Sequence, residues 1–222
     1  MMMSLFSVFD PVTWLGVSFN WCSVFIVVVM MMSSVIMVDG RVESVKTNFK
    51  GSVGKIFREV GGKNWSMMGF LSLVLFIWIG VMNLLGLWPF VFVGTSHLVV
   101  TLGMGLVLWF SFLLLGWIKN VKESSSHLVP EGSPMFLAPI MVIIEMISHL
   151  IRPVTLSVRL AANMMAGHMI IGLISGMSMG GVGGMMVSIF FQSMMVMLEI
   201  GVALIQAFVF SVLVLLYSTE YY

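Results

Sequence analysis

Long apolar runs alternate with short charged breaks along this chain. A helix that crosses a membrane needs about 20 apolar residues, rising about 1.5 Å each. Three runs meet that need: Trp14 to Val38, Trp65 to Trp88 with Pro89 ending it, and Thr95 to Ile118. Trp14, Trp65, Trp88 and Trp117 at their ends fit an interfacial aromatic belt. Between the first two runs, residues 41–63 read RVESVKTNFKGSVGKIFREVGGK. Val42, Val45, Phe49, Val53, Ile56 and Val60 recur there at steps of 3 and 4, with Lys and Arg filling the rest. That spacing predicts an amphipathic helix lying on the membrane surface. Gly51 and Gly54 weaken it, and a plain charged loop is the alternative.

The C-terminal half follows a different pattern. Residues 135–175 form one run of about 40 residues, which as a helix is about 60 Å long, twice the hydrocarbon thickness. Such a helix has to tilt, kink or split, and Pro153 permits a kink. The stretch GLISGMSMGGVGG, Gly172 to Gly184, predicts a turn. A second long run then occupies residues 185–217. The fold class is an all-α polytopic membrane protein in one membrane domain, residues 1–222. It has three roughly upright transmembrane helices (14–38, 65–88, 95–118), one surface amphipathic helix (41–63), and a C-terminal hairpin of two long, strongly tilted helices.

Composition agrees. The chain is 60% hydrophobic and 9% charged, where soluble domains carry about 25% charged residues. A net charge of +1 gives no footing for nucleic acid. Cys22 is the single cysteine, which rules out an internal disulfide and a Cys-ligated metal cluster, and it reads as a small buried hydrophobe. Methionine is abundant, 24 of 222, often where Ile or Leu would serve, which points to a mitochondrial genetic code. The first residues, MMMSLFSVFDPVTW, lack the basic positions of a signal or transit peptide, so no cleaved address is expected. Six Lys/Arg (Arg41, Lys46, Lys50, Lys55, Arg58, Lys63) precede the second run, and Lys119 and Lys122 follow the third. Two spans separate the groups, so they share one side, and the positive-inside rule makes it cytoplasm or matrix. The N-terminus then faces the opposite compartment.

Charged and polar residues inside these runs carry the chemistry. On the first long helix, Glu145, His149, Arg152, Arg159 and Asn163 follow at steps of 4, 3, 7 and 4. At about 100° per residue they return to nearly one side. His168 lies nine residues past Arg159, on the opposite side. On the second long helix Gln192, Glu199 and Gln206 recur every seven residues and share a face. Ionisable groups at membrane depth avoid lipid and mark ion or proton routes by default. The plain alternative is that Arg159, Glu199 and Glu145 pair with one another as structural glue. Glu and His exchange protons, Asn and Gln hold water without titrating, and Arg never releases its proton. Titratable groups on either side of a fixed positive charge suit two proton half-paths kept apart by a barrier.

The stretch SVRLAANMMAGH (Ser157 to His168) resembles the signature of the subunit a family of F-type ATP synthases. LEIGVALIQAFVFSVLVLLY (Leu198 to Tyr217) resembles that family's last-helix motif. IIEMISHLIRPVTLSVRL and EGSPMFLAPI resemble its preceding segments, so the likeness covers Pro130 to Tyr217. His168 paired with Glu199 resembles the mitochondrial form, which implies the inner mitochondrial membrane, with the N-terminus in the intermembrane space and the basic loops in the matrix. The resemblance further implies that Arg159 faces the carboxylate of a rotating c-subunit ring. His168, Glu199 and Gln206 would line a half-channel from the intermembrane side, and Glu145 and Asn163 would lie nearer the matrix exit. His149, Arg152 and Gln192 are secondary candidates. Implied partners are the c-ring, other membrane-sector and peripheral-stalk subunits, and lipid.

Three rivals compete. A proton-pumping dehydrogenase subunit usually carries intramembrane lysines, but here every Lys lies between 46 and 122, in the charged segments. A haem cytochrome needs His pairs on facing helices, and the last helix has none. A non-conducting structural subunit is opposed by the two aligned stripes. No phosphate-binding loop, metal cluster or nucleophile constellation is present, so no cofactor is expected and ATP chemistry belongs to partner chains.

Overall fold

In the computed structural model, the described residues are 6, 9–12, 16, 18–36, 41–61, 65–88, 91–119, 121, 138–178 and 181–221. They are almost entirely helical, and none lies in a strand. In chain order the helices are α1 (Cys22–Ile36), α2 (Arg41–Gly61), α3 (Trp65–Gly86), α4 (Leu98–Lys119), α5 (Ala138–Met177) and α6 (Val182–Tyr221). Helices α3 to α6 are each long and apolar enough to cross a membrane. Lys63, Pro89, Lys122, His127 and residues 130–137 lie outside the described residues.

Burial periodicity explains how these helices meet. On α3, Ser72, Phe76, Ile79 and Asn83 are buried at steps of 4, 3 and 4, one helical face. On α4, Thr101, Gly105, Phe112 and Gly116 form another. Both faces turn toward the C-terminal hairpin, and α6 packs against α2, α3, α4 and α5. Its residues Ala207, Phe210, Val214, Leu215 and Tyr217 sit in one cluster with Phe57, Phe76, Ile79, Phe112, Leu156 and Leu160. The last helix in sequence is therefore the centre of the bundle.

Several expectations need correction. The first run was expected to be helical from Trp14, but Gly16 has φ +73°, a left-handed conformation that stops a helix. A 3-10 turn at Phe19–Trp21 follows, and the helix starts at Cys22. Cys22 is exposed, not buried. On α2 the expected stripe omitted its anchor. Phe57 is fully buried and Val53 is 9% exposed, while Ile56 and Val60 remain 46% and 39% exposed. Gly54 of α2 faces Leu73 on α3, where a Cβ would make an ordinary van der Waals contact at 3.4 Å.

The long helix α5 runs unbroken for 40 residues through Pro153. Proline removes one backbone donor and normally kinks or breaks a helix. Here Ser157 Oγ donates to the Pro153 carbonyl at 2.8 Å, and both residues are buried. Gly105 of α4 lies against that point, where a Cβ would collide with the Ser157 hydroxyl. The predicted turn is much shorter than Gly172 to Gly184. Gly172 and Gly176 are helical, Gly181 takes φ +101°, and α6 starts at Val182. In the hairpin so formed, a Cβ on Gly184 would lie 2.9 Å from the Met177 carbonyl.

Candidate functional site

Glu199 sits on the inward face of α6 and is 6% exposed. Opposite it on α5 is Gly167, where any Cβ would strike the Glu199 carboxyl group. Glycine thus lets the carboxyl lie directly against the α5 backbone. His168 follows on α5, and its Nε2 stands 3.9 Å from Glu199 Oε1. That is a close pair of ionisable groups, too far apart for a hydrogen bond. Among the described residues, neither Glu199 oxygen nor His168 Nε2 has a protein hydrogen-bond partner.

Beside this pair, Asn83, Asn163, Glu199 and Gln206 line a void of about 10 Å³, closed by Leu160, Met164, Val202 and Ala203. A void of this size holds about one water. Asn83 Nδ2 donates to the Ala203 carbonyl at 3.4 Å, while Asn83 Oδ1 and Gln206 Oε1 find no donor. Three helices thus bring four polar side chains to one point in an apolar bundle. Asn83 was missed in the sequence because nothing repeats with it. Its signal is to be the one amide in WSMMGFLSLVLFIWIGVMNLLG.

The expected grouping changes in one respect. Asn163 was expected with Glu145, near the exit on the basic side, but it lines the void with Glu199 and Gln206. On α5 it lies only about 40° round from Arg159, on the edge of the helix that α6 covers. Glu145 and His149 instead pair with each other one turn apart, Nε2 to Oε1 at 3.4 Å. Gln192 is half-buried and stands seven residues, about 10 Å, from Glu199 along α6. It does not reach the void.

Arg159 and Arg152 are exposed on α5. Neither makes an ion pair among the described residues, so Arg159 is not glued to Glu199 or Glu145. Around Arg159 the exposed face carries Thr155, Ala162 and Ala166, whose small side chains leave room for another helix to approach. Along α5, His168 lies about 14 Å from Arg159 in one direction and Glu145 about 21 Å in the other. The arrangement is two polar sites at different depths, with a fixed positive charge between them on an open face. Among the described residues, no group of three or more His, Cys, Asp or Glu could hold a metal ion.

Comparison with known proteins shows the same character along the whole chain. The family model described as ATP synthase A chain matches residues 12–219. A protein of Anopheles quadrimaculatus named ATP synthase subunit a is 42% identical over 226 residues, covering 99% of each chain. The protein of that name from Locusta migratoria is 40% identical, covering all of both chains. That from Artemia franciscana is 40% identical, covering 99% of this chain and all of its own.

Proposed function

The chain belongs to the ATP synthase A chain family, and from that premise we propose that it conducts protons along two offset half-paths beside a rotating ring. It is a multi-pass membrane protein, and membership implies partners in the membrane sector of that complex. In this reading a proton comes from the side opposite the basic residues to His168 and Glu199. Gln206, Asn163 and Asn83 hold the hydrogen-bonded water that relays it toward the open face of α5. There it neutralises a carboxylate on a c-subunit, and a neutral carboxyl can move into lipid where a charged one cannot. After the ring turns, the proton leaves near Glu145 and His149, toward the matrix. Arg152, exposed between Glu145 and Arg159, adds positive charge near the exit.

Arg159 keeps the two half-paths apart. A guanidinium does not release its proton, so no proton passes through it, and it draws each arriving carboxylate into its ionised form. The observation that carries this reading is Arg159 itself: a permanent charge on the exposed face of an apolar helix, with no ion-pair partner among the described residues. Burying such a charge in lipid costs at least a few kcal/mol, and the exposed face of α5 leaves room for a counter-ion from another subunit.

The test is ATP-driven proton pumping in vesicles, comparing the native complex with Arg159→Gln, assembly checked by co-purification. The expected outcome is an assembled complex with pumping abolished. Pumping near the native rate would make Arg159 structural and overturn the half-path scheme.

A further inference from the structure

A larger cavity lies on the side opposite the basic residues. Its volume is about 440 Å³, and it is lined by Phe6, Phe9, Asp10, Ser96, His97, Leu98 and Met165. The side follows from the helix directions. Helix α4 starts at Leu98 beside the cavity and ends at Lys119, and α2, with Lys50, Lys55 and Arg58, stands at the far end of α1 and α3. Trp21, just before α1, packs on Phe92 and His97 with ring centroids 5.5 Å apart in both cases. The Ser23 hydroxyl meets the Phe92 carbonyl at 3.5 Å. These contacts hold the N-terminal segment against the start of α4.

The lip of the cavity is built. Asp10 Oδ1 accepts from the Val12 N–H at 3.2 Å, and Asn20 Nδ2 donates to the Asp10 carbonyl at 3.2 Å. Asp10 is exposed, and a carboxylate does not sit in hydrocarbon. Asp10, Ser96 and His97 give the wall polar groups, and the volume corresponds to about 15 waters at about 30 Å³ each. Phe9, one of the lining residues, meets the His168 ring edge-on with centroids 6.4 Å apart. Met165, also in the wall, precedes His168 by about one helical turn.

We propose that this cavity is the aqueous mouth of the proton path, with the Asp10 carboxylate concentrating cations at its lip and Phe9 the partition between its water and His168. The inference rests on the proton-path reading above and adds the N-terminal segment to the conducting machinery. A negatively charged cleft raises the local concentration of cations. The ring of Phe9 separates bulk water from the pair in which the proton is handed on.

Two neighbouring residues test it. Leu98 lines the cavity, whereas Val99 is 82% exposed and lies outside it. In a Cys22→Ser background, which removes the chain's one cysteine, Leu98→Cys and Val99→Cys are placed separately in the whole complex in sealed vesicles. A membrane-impermeant anionic thiosulfonate is added from either side, and pumping is read before and after. Leu98→Cys should react only from the side opposite the basic helix, and pumping should then fall several-fold, with Val99→Cys pumping unchanged. Failure of Leu98→Cys to react from that side means that protein or lipid fills the cavity, and the proposal falls. Reaction without loss of pumping means a hydrated space off the path, and it falls too.

Should Leu98→Cys not assemble, Asp10→Asn keeps the test open, because the amide still offers Val12 its acceptor. Slower pumping is expected, and a native rate overturns the proposal. Arg159→Gln reports on the underlying reading separately. Pumping that survives there removes both ideas, while pumping lost there with an unreactive Leu98→Cys removes the mouth alone.

Discussion

Gly167 is a residue where an added methyl group should damage function far more than folding. Its Cβ would meet the end of the Glu199 side chain, which can swing away, rather than fixed backbone. In Gly167→Ala the bundle should assemble with a melting temperature near native, while the Glu199 carboxyl moves by about 1 Å, a displacement that can cost about 10²-fold in rate. Pumping and thermal unfolding of the purified complex check this together, and a native pumping rate would show that the position of Glu199 is not critical. Arg159, His168 and Glu199 were legible in the sequence because a charge in an apolar run demands a reason. Gln206 was legible because it repeats with Glu199. Asn83 was not, since no polar residue repeats with it along its helix, and its hydrogen-bond partner, the Ala203 carbonyl, stands 120 residues away. Gly167 was not legible either, for its meaning lies in what is absent from α5 opposite Glu199.

Helix α2 shows why an apolar stripe locates a helix better than it locates the buried face. Val53 and Phe57 face protein, and Ile56 and Val60 stay partly exposed on the same helix. Protein core and lipid both accept apolar side chains, so the pattern alone does not divide them. Phe57 also joins a ring cluster, 6.0 Å from Phe76 and 6.1 Å from Phe208 between centroids. Truncating such a buried ring costs about 3–5 kcal/mol. Phe57→Ala should therefore lower the melting temperature of the detergent-solubilised complex markedly, and Ile56→Ala much less. Equal effects would show that α2 is held by its outer stripe. Pro153 left open whether α5 is one helix or two. Proline permits a kink or a break from sequence alone, and the fold continues α5 as one helix through it, with Gly105 of α4 packed close against Ser157.

Across the whole molecule, the long apolar runs after residue 64 correspond to four helices long and apolar enough to cross a membrane, whereas the first run yields only the 15-residue α1, and the packing order was not readable. Helical periodicity says which side of α6 is buried, and nothing in it says that α2, α3, α4 and α5 all meet there. Sidedness is proposed from charge, and a single site on α2 tests it. Ser52 is exposed on that helix, so Ser52→Cys in the cysteine-free background should react with an impermeant reagent only from the matrix side. Reaction from the other side would reverse the direction proposed for the proton. The central place of α6 has a consequence for biosynthesis. Ribosomes add about 5–20 residues per second, so Asn83 enters the membrane on the order of ten seconds before Ala203, the carbonyl it binds, has been made. During that interval α3 waits in the bilayer with a polar amide facing no protein partner from α6, and the bundle closes only when its last helix arrives.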